Sequence, residues 1–238
     1  MCVTFRERLL ATIRAARPVL EVPDVLVVGS EVPNLLEPDA ASTLVVSQDL
    51  DVGVPVERHA AVKQRLADLH QFRPSSDEPS VWLPREPGLL EVNFLGIDAS
   101  QPPAEAYVLE DDELPLMVFG ALSLLSPGVG FELAGTHLRL PRSAGLLLEK
   151  LITDRTGEKG ERDLLVALGV LMTATPDDLA EVEAIFLGLT PELRHVVCSN
   201  LTILSLLEAR PGMPDPGLHR GDVAALLRRL ERSGQVEP

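Results

Sequence analysis

Two aspartates that alternate along one short segment are the residues of this sequence best suited to chemistry. If Asp49-Leu50-Asp51 is a strand, both carboxylates share one face while Leu50 and Val52 share the other. Like charges side by side are costly, and a divalent cation is the usual way to balance them. Such oxygen ligands on a rigid strand suit Mg²⁺ (or Mn²⁺) that carries the phosphates of a nucleotide. The alternative is a pair at a solvated strand end.

Two other segments have residues that would complete a nucleotide site. Gly29-Ser30 follows the apolar run 24–28, and such small residues let backbone N–H groups and a hydroxyl approach a phosphate. The strand candidate Leu89–Leu95 carries Glu91, a third carboxylate for the aspartate pair. The alternative for Glu91 is a glutamate at a strand edge.

Alternation and helical spacing predict the elements that hold these residues. Strands are predicted at 24–28, Leu44–Val54, Val81–Pro84, Leu89–Leu95 and Tyr107–Leu109, with a hairpin through Gly130–Leu133 and His137–Leu140. Helices are predicted at Phe5–Ala16, Val56–Phe72, Leu114–Leu125, Ala144–Asp154, Arg162–Thr173, Pro176–Leu187, Pro191–Ala209 and Gly221–Ser233.

The composition changes near residue 141, after which every periodic segment is helical. This change predicts an α+β protein: an α/β domain over residues 1–140, with a small mixed β-sheet backed by helices, followed by a helical C-terminal half over residues 141–238.

The order of these elements resembles the nucleotidyltransferase superfamily of DNA polymerase β type. Its pattern is a strand with a Gly-Ser turn, a strand with Asp-x-Asp and a third acidic strand, and these match Gly29-Ser30, Asp49-Leu50-Asp51 and Glu91. The resemblance implies that Asp49, Asp51 and Glu91 bind metal and act in catalysis. It also implies that Gly29 and Ser30 hold the triphosphate of an NTP, whose nucleoside monophosphate passes to a hydroxyl.

A second likeness lies in the helical half. The segment from Ala144 through Lys150 and Arg155 to Asp163 is similar to AbiEii-type nucleotidyltransferases, which include toxins of type IV toxin–antitoxin systems. The resemblance implies that Lys150 and Arg155 bind the nucleotide phosphates and that Asp163 orients a catalytic group or the acceptor. The alternative is a solvated ion-pair network of Lys150, Asp154, Arg155 and Asp163.

Three features depart from the family patterns. Eighteen residues separate Ser30 from Asp49, Asn93 shares a strand face with Glu91, and Val166 stands where the AbiEii-type group commonly has a second Asp. These departures favour a second hypothesis, a nucleotidyltransferase fold that binds a nucleotide or a partner without transfer.

Charge limits the partners of the chain. Its 238 residues carry 36 acidic and 21 basic side chains, a formal net charge of −15, so a broad face for polynucleotide is not expected. An acceptor such as tRNA would therefore need a local basic patch, while a protein or small-molecule acceptor would not. The residues that would form such a patch are Lys150, Arg139, Arg142, Arg155, Arg162, Arg228 and Arg229.

The remaining composition predicts the compartment. Two cysteines form no disulfide framework, and Met1–Phe5 is followed by charged residues rather than the apolar core of a signal peptide. With no long apolar run for a membrane span, the sequence predicts a cytoplasmic protein without a membrane partner. A cognate antitoxin is a further partner that the AbiEii-type resemblance implies.

Overall fold

The computed structural model describes residues 4–36, 49–152, 157–211 and 213–234. Its chain divides into two compact units. The first comprises the described residues of Met1–Val32 and Val46–Pro141, and the second those of Pro33–Val45 and Arg142–Pro238. A mixed sheet in the first unit and helices through the C-terminal half confirm the predicted fold class.

The strands of the first unit are short. They are β1 (Leu26–Val28), β2 (Asp49–Pro55), β3 (Phe72–Pro74), β4 (Val81–Pro84), β5 (Glu91–Ile97), β6 (Ala106–Leu109), β7 (Leu116–Phe119), β8 (Phe131–Leu133) and β9 (Thr136–Leu138). The described helices are α1 (Phe5–Ala15), α2 (Arg17–Leu20), α3 (Val32–Leu36), α4 (His59–Leu66), α5 (Ser143–Ile152), α6 (Gly157–Thr173), α7 (Pro176–Gly188), α8 (Pro191–Leu206) and α9 (Pro216–Gly234).

Strands β2 and β5 form the centre of the sheet. They pair in parallel along seven residues, and β1 adds antiparallel to the outer edge of β2. The other edge of β5 is shared, because β4 pairs with its first half and β7 with its second half. Strand β3 continues the sheet beyond β4, and β6 continues it beyond β7. The hairpin of β8 and β9 forms a separate two-stranded sheet.

The two faces of this sheet differ in chemistry because side chains alternate along each strand. One face is the core of the first unit, and its residues Leu50, Val52, Val92, Phe94, Leu116 and Val118 are all inaccessible to solvent. The opposite face carries the aspartate pair and its neighbours on β5, β6 and β7. We call this second face the open face.

The second unit is built on α5. Every residue of α5 from Ala144 to Ile152 is buried, as expected for a helix that is apolar on almost all sides. Helices α6, α7 and α8 pack against it, and Asn200 of α8 donates a 2.7 Å hydrogen bond to the Leu151 carbonyl. Thr175 caps the start of α7 through the backbone N–H of Asp178.

Two predicted helices are wrong in part. Leu114–Leu125 forms β7 and a 3₁₀ turn, because its apolar residues alternate as in a strand: Leu116 and Val118 are buried in the core while the residues between and after them are exposed. Helix α4 is shorter than Val56–Phe72, since a 3₁₀ turn precedes it and Phe72 begins β3. Part of the predicted strand Leu44–Val54, residues 44–48, lies outside the described residues.

Candidate functional site

The turn after β1 lies directly against Asp51. Gly29 has φ +85°, which favours glycine, and a Cβ at this position would overlap the Asp51 carboxylate. The 3₁₀ turn Gly29–Glu31 follows, with Ser30 half-buried. Two independent constraints, the backbone conformation and the proximity of Asp51, therefore require glycine at position 29.

The aspartate pair lies where the sequence analysis placed it, on one face of β2. Asp49 and Asp51 are half-buried while Leu50 is fully buried. Asp51 is in register with Val28 of β1 and with Asn93 of β5, and Asn93 donates a 3.0 Å hydrogen bond from Nδ2 to Asp51 Oδ1. The amide therefore supports one carboxylate oxygen from the neighbouring strand.

Glu91 shares the open face but is not in register with Asp51; it lies two residues before Asn93 along β5. It is exposed and in register with Asp49, whereas Asn93 is in register with Asp51. Across the described residues, no three His, Cys, Asp or Glu side chains lie close enough together to hold a metal ion. The oxygen ligands at this place are consequently a carboxylate pair with an amide neighbour.

This set of ligands fits one hydrated divalent cation. Mg²⁺ usually keeps several waters and is held by one or two carboxylates together with substrate phosphates. Asp49 and Asp51 supply the carboxylates, and the glycine turn brings backbone close to them without a side chain between. The same set offers less to a second metal ion, for which a third carboxylate is needed.

A buried carboxylate that the sequence pattern does not predict lies beside this turn. Glu31 ends the 3₁₀ turn and is fully buried. Charged residues are rarely buried, and the spacing of Gly-Ser-Glu carries no signal that this one is. Its position follows from the turn, which leads the chain from β1 directly into the packed helix α3.

In the second unit, Lys150 belongs to a buried charge cluster. Its side chain is 9% exposed, with Nζ 3.1 Å from Glu149 Oε2 and 4.0 Å from Asp163 Oδ1. The predicted ion-pair alternative was a solvated network, whereas this cluster is buried because it lies on the central helix. Arg155 and Asp154 lie outside the described residues. Val166, at the family's second Asp position, is a fully buried core residue.

Several arginines proposed for an RNA contact instead pair with carboxylates. Among the described residues the pairs are Arg139 with Asp24 at 3.0 Å, Arg142 with Glu181 at 2.8 Å and Arg229 with Glu183 at 2.6 Å. Each pair reduces the positive charge that those arginines offer to a phosphate backbone. Asp24 also accepts two hydrogen bonds from Arg58.

A further charged cluster joins α4 to the loop before β7. Lys63 Nζ lies 2.9 Å from Asp111 Oδ2, and His59 Nε2 lies 2.8 Å from the Leu114 carbonyl. The hydrogen bond from Lys63, helped by the backbone N–H groups of Glu113 and Leu114, holds the pKa of Asp111 well below its usual range. An open cavity of about 330 Å³ borders this cluster.

Among the described helices, none combines the length and the apolar character that crossing a membrane requires.

No protein-family model and no curated protein matches the chain. Similar solved structures include an antigenic nucleotidyltransferase-like protein from Paracoccidioides brasiliensis (14% identity, TM-score 0.45, covering 92% of this chain and 93% of that chain). Two Helicobacter pylori proteins are also similar. JHP933 has 12% identity and a TM-score of 0.39, with 94% of this chain and 91% of that chain covered. A protein provisionally named a nucleotidyltransferase has 13% identity and a TM-score of 0.40, with 96% of each chain covered.

Proposed function

We propose that the first unit binds an NTP with one Mg²⁺ and transfers the nucleoside monophosphate to a hydroxyl of an acceptor. One observation carries the proposal: the Gly29 turn lies against Asp51, on the face that also holds Asp49. A turn suited to phosphate and a carboxylate pair suited to Mg²⁺ thus occupy the same place.

The residues of the open face would have separate roles in binding and transfer. The backbone N–H groups around Gly29 and the hydroxyl of Ser30 bind phosphate oxygens. Asp49 and Asp51 hold Mg²⁺, which when bound polarises the phosphoryl group and stabilises the charge on departing pyrophosphate. Asn93 holds Asp51 in orientation through its 3.0 Å hydrogen bond. Glu91, exposed beside Asp49, takes the acceptor proton or completes the metal shell.

For the second unit, the AbiEii-type resemblance implies that Lys150 and Arg155 bind phosphates and that Asp163 orients a catalytic group or the acceptor. These roles are proposals from that resemblance, as are the toxin activity and a cognate antitoxin, whereas residence in the cytoplasm is a proposal from the composition.

Nucleotide binding without transfer is the second candidate function. The observation that favours it is the register of β2 and β5, which sets Asn93, rather than an acidic residue, opposite Asp51. With an amide at this position, the site has the ligands for one ion and lacks the third carboxylate of a two-metal centre.

Labelled transfer and calorimetry test the two functions. Each α-labelled NTP is incubated with Mg²⁺ or Mn²⁺ and with RNA, protein or small-molecule acceptors. We expect at least one acceptor to be labelled and Asp49→Ala/Asp51→Ala to abolish the labelling. The control Glu78→Ala/Glu86→Ala removes two exposed carboxylates elsewhere in the first unit and should label normally. Equal labelling by Asp49→Ala/Asp51→Ala would exclude the mechanism.

Calorimetry with a non-hydrolysable NTP then distinguishes the candidates. Metal-dependent binding without turnover on any acceptor favours the binding protein, whereas the absence of binding excludes both functions.

A further inference from the structure

An apolar patch lies on the open face beside the aspartate pair. We call it the platform; it comprises Leu95 of β5, Ala106 and Val108 of β6, and Met117 and Phe119 of β7. In register, Leu95 is the neighbour of Met117, Met117 of Val108, and Phe119 of Ala106, so the five side chains are contiguous. Val108, Met117 and Phe119 are 42%, 40% and 38% exposed. Exposed apolar side chains gathered in this way indicate a contact surface.

The platform begins next to the carboxylates. Leu95 is the next residue after Asn93 on the same face of β5, about 6.7 Å along the strand. Met117 lies on the adjacent strand, about 4.8 Å further across the sheet. A molecule that covers the platform therefore reaches Asn93 and the Asp51 carboxylate that Asn93 contacts.

The shape of the platform favours a polypeptide over a small molecule. Small ligands bind in concave sites that bury most of their surface, whereas the platform is one face of a sheet and its side chains are open to solvent. Flat apolar surfaces with polar borders are instead typical of contacts between proteins.

Charge further selects the polypeptide. Glu91 on β5 is exposed, and exposed Glu105 and Glu110 stand immediately before and after β6. In a chain of net charge −15, these carboxylates repel a polynucleotide and a second copy of the same chain. They attract lysine and arginine side chains.

We propose that the acceptor is a serine, threonine or tyrosine hydroxyl of a basic polypeptide that packs apolar side chains on the platform. This inference rests on the nucleotidyl transfer proposed above. The hydroxyl oxygen forms a bond to the α-phosphorus, and the bond between the α-phosphorus and the oxygen that it shares with the β-phosphorus breaks. Pyrophosphate leaves with the electron pair, and the hydroxyl proton passes to Glu91 or, where Glu91 completes the metal shell, to water.

Synthetic acceptors test the proposal on the full chain. The probes are peptides of the pattern Lys-Leu-Thr-Leu-Lys, with Ser or Tyr in place of Thr, the same peptides with Glu in place of Lys, an RNA oligonucleotide and a sugar alcohol. With an α-labelled NTP and Mg²⁺, we expect the lysine peptides to be labelled at least tenfold faster than the glutamate peptides. The other two probes should stay unlabelled.

Variants locate the contact. Met117→Gln/Val108→Thr should lower kcat/KM for the lysine peptides at least tenfold, chiefly through KM. The matched control is Met172→Gln, because Met172 of α6 is 42% exposed but lies in the other unit. It should stay within twofold of the original chain. Val108→Thr alone, which keeps the branched shape, should give an intermediate loss, and melting temperatures verify that all variants fold.

The outcomes separate the acceptor from the reaction. Label in RNA or sugar alcohol but in neither peptide series overturns the polypeptide acceptor and leaves the transfer intact. Labelled peptides whose kinetics do not change in Met117→Gln/Val108→Thr overturn the role of the platform. Nucleotide binding with no label in any probe overturns the transfer and the acceptor together.

Discussion

At the scale of single residues, Gly29 is constrained both by its backbone conformation and by its contact with Asp51. Gly29→Ala forces a Cβ into the left-handed region and into the Asp51 carboxylate. The backbone conformation alone costs about 1–2 kcal/mol, and the displaced aspartate adds to it. We expect the free energy of unfolding in urea to fall by about 2–3 kcal/mol and Mg²⁺-dependent nucleotide binding to be lost.

Two other glycines separate the causes of this loss. Gly135 has φ +77° and no neighbour within 4 Å of an added Cβ, so Gly135→Ala measures the backbone cost alone. Gly88 has the same open surroundings without a positive φ, and Gly88→Ala should leave stability nearly unchanged. If Gly29→Ala lowers the free energy of unfolding no more than Gly135→Ala does, the contact with Asp51 does not contribute to the loss of stability.

Asn93 determines how many carboxylates meet at the site. Asn93→Asp replaces the amide that donates to Asp51 by a third carboxylate, so repulsion should lower the melting temperature without metal. Added Mg²⁺ should then raise the melting temperature more than it does in the original chain, because the ion gains a ligand. Melting curves with and without Mg²⁺ check both effects; an equal response to metal in the two proteins would remove Asn93 from the site.

At the scale of elements, the central helix of the second unit carries a buried ion pair. Lys150→Met retains the volume of the side chain but leaves the Glu149 and Asp163 carboxylates without this cation. We expect the free energy of unfolding to fall by about 3–5 kcal/mol, and Glu149→Gln/Lys150→Met to recover part of the loss.

Nucleotide affinity of Glu149→Gln/Lys150→Met decides the role of Lys150. If Lys150 also binds phosphate, NTP binding should weaken by about 1.5–3 kcal/mol, the size of a charged hydrogen bond. If the residue serves only the ion pair, affinity stays unchanged and the AbiEii-type assignment loses its lysine.

The connection between α4 and the loop before β7 depends on pH. The pKa of Asp111 is lowered in the folded chain, so its contribution is fully present above the ordinary carboxyl pKa of about 3.9 and is lost as pH falls through the lowered value. At pH 7, Asp111→Asn should cost about 1 kcal/mol, a small value because the pair is partly exposed. The difference in the free energy of unfolding between Asp111→Asn and the original chain should disappear as the pH is lowered below about 3.9. Urea titrations at several pH values test this, with the exposed neighbour variant Asp112→Asn as control.

Local patterns predicted some of these elements and not others. Asp49 and Asp51 could be placed on one strand face because alternation is a property of the segment itself. The strand β7 could not be distinguished from a helix, since all four of its residues are apolar and an uninterrupted apolar run lacks a period of its own. The pairing of Asn93 with Asp51 depends on the register between distant strands, and the burial of Glu31 and Glu149 depends on packing; neither is encoded in spacing.

At the scale of the whole molecule, Mg²⁺ should stabilise the native chain. A ligand that binds only the folded state at ten times its Kd adds about 1.4 kcal/mol. An acidic protein also gains from general screening, so the comparison requires KCl at equal ionic strength. We expect the specific part of the melting shift to vanish in Asp49→Ala/Asp51→Ala and to persist in Glu78→Ala/Glu86→Ala; a shift that KCl reproduces in full would argue against a metal site.

The central position of β5 has a consequence for how the protein reaches its native state. The hydrogen bond between Asp51 and Asn93 spans 42 residues of chain, and β2 and β5 pair in parallel, which no short turn can achieve. Contacts so distant in sequence form late, after the entropy of closing the long intervening loop has been lost. A nascent chain released before β5 emerges therefore has both aspartates but no nucleotide site, and competence to bind arises only when the two central strands join.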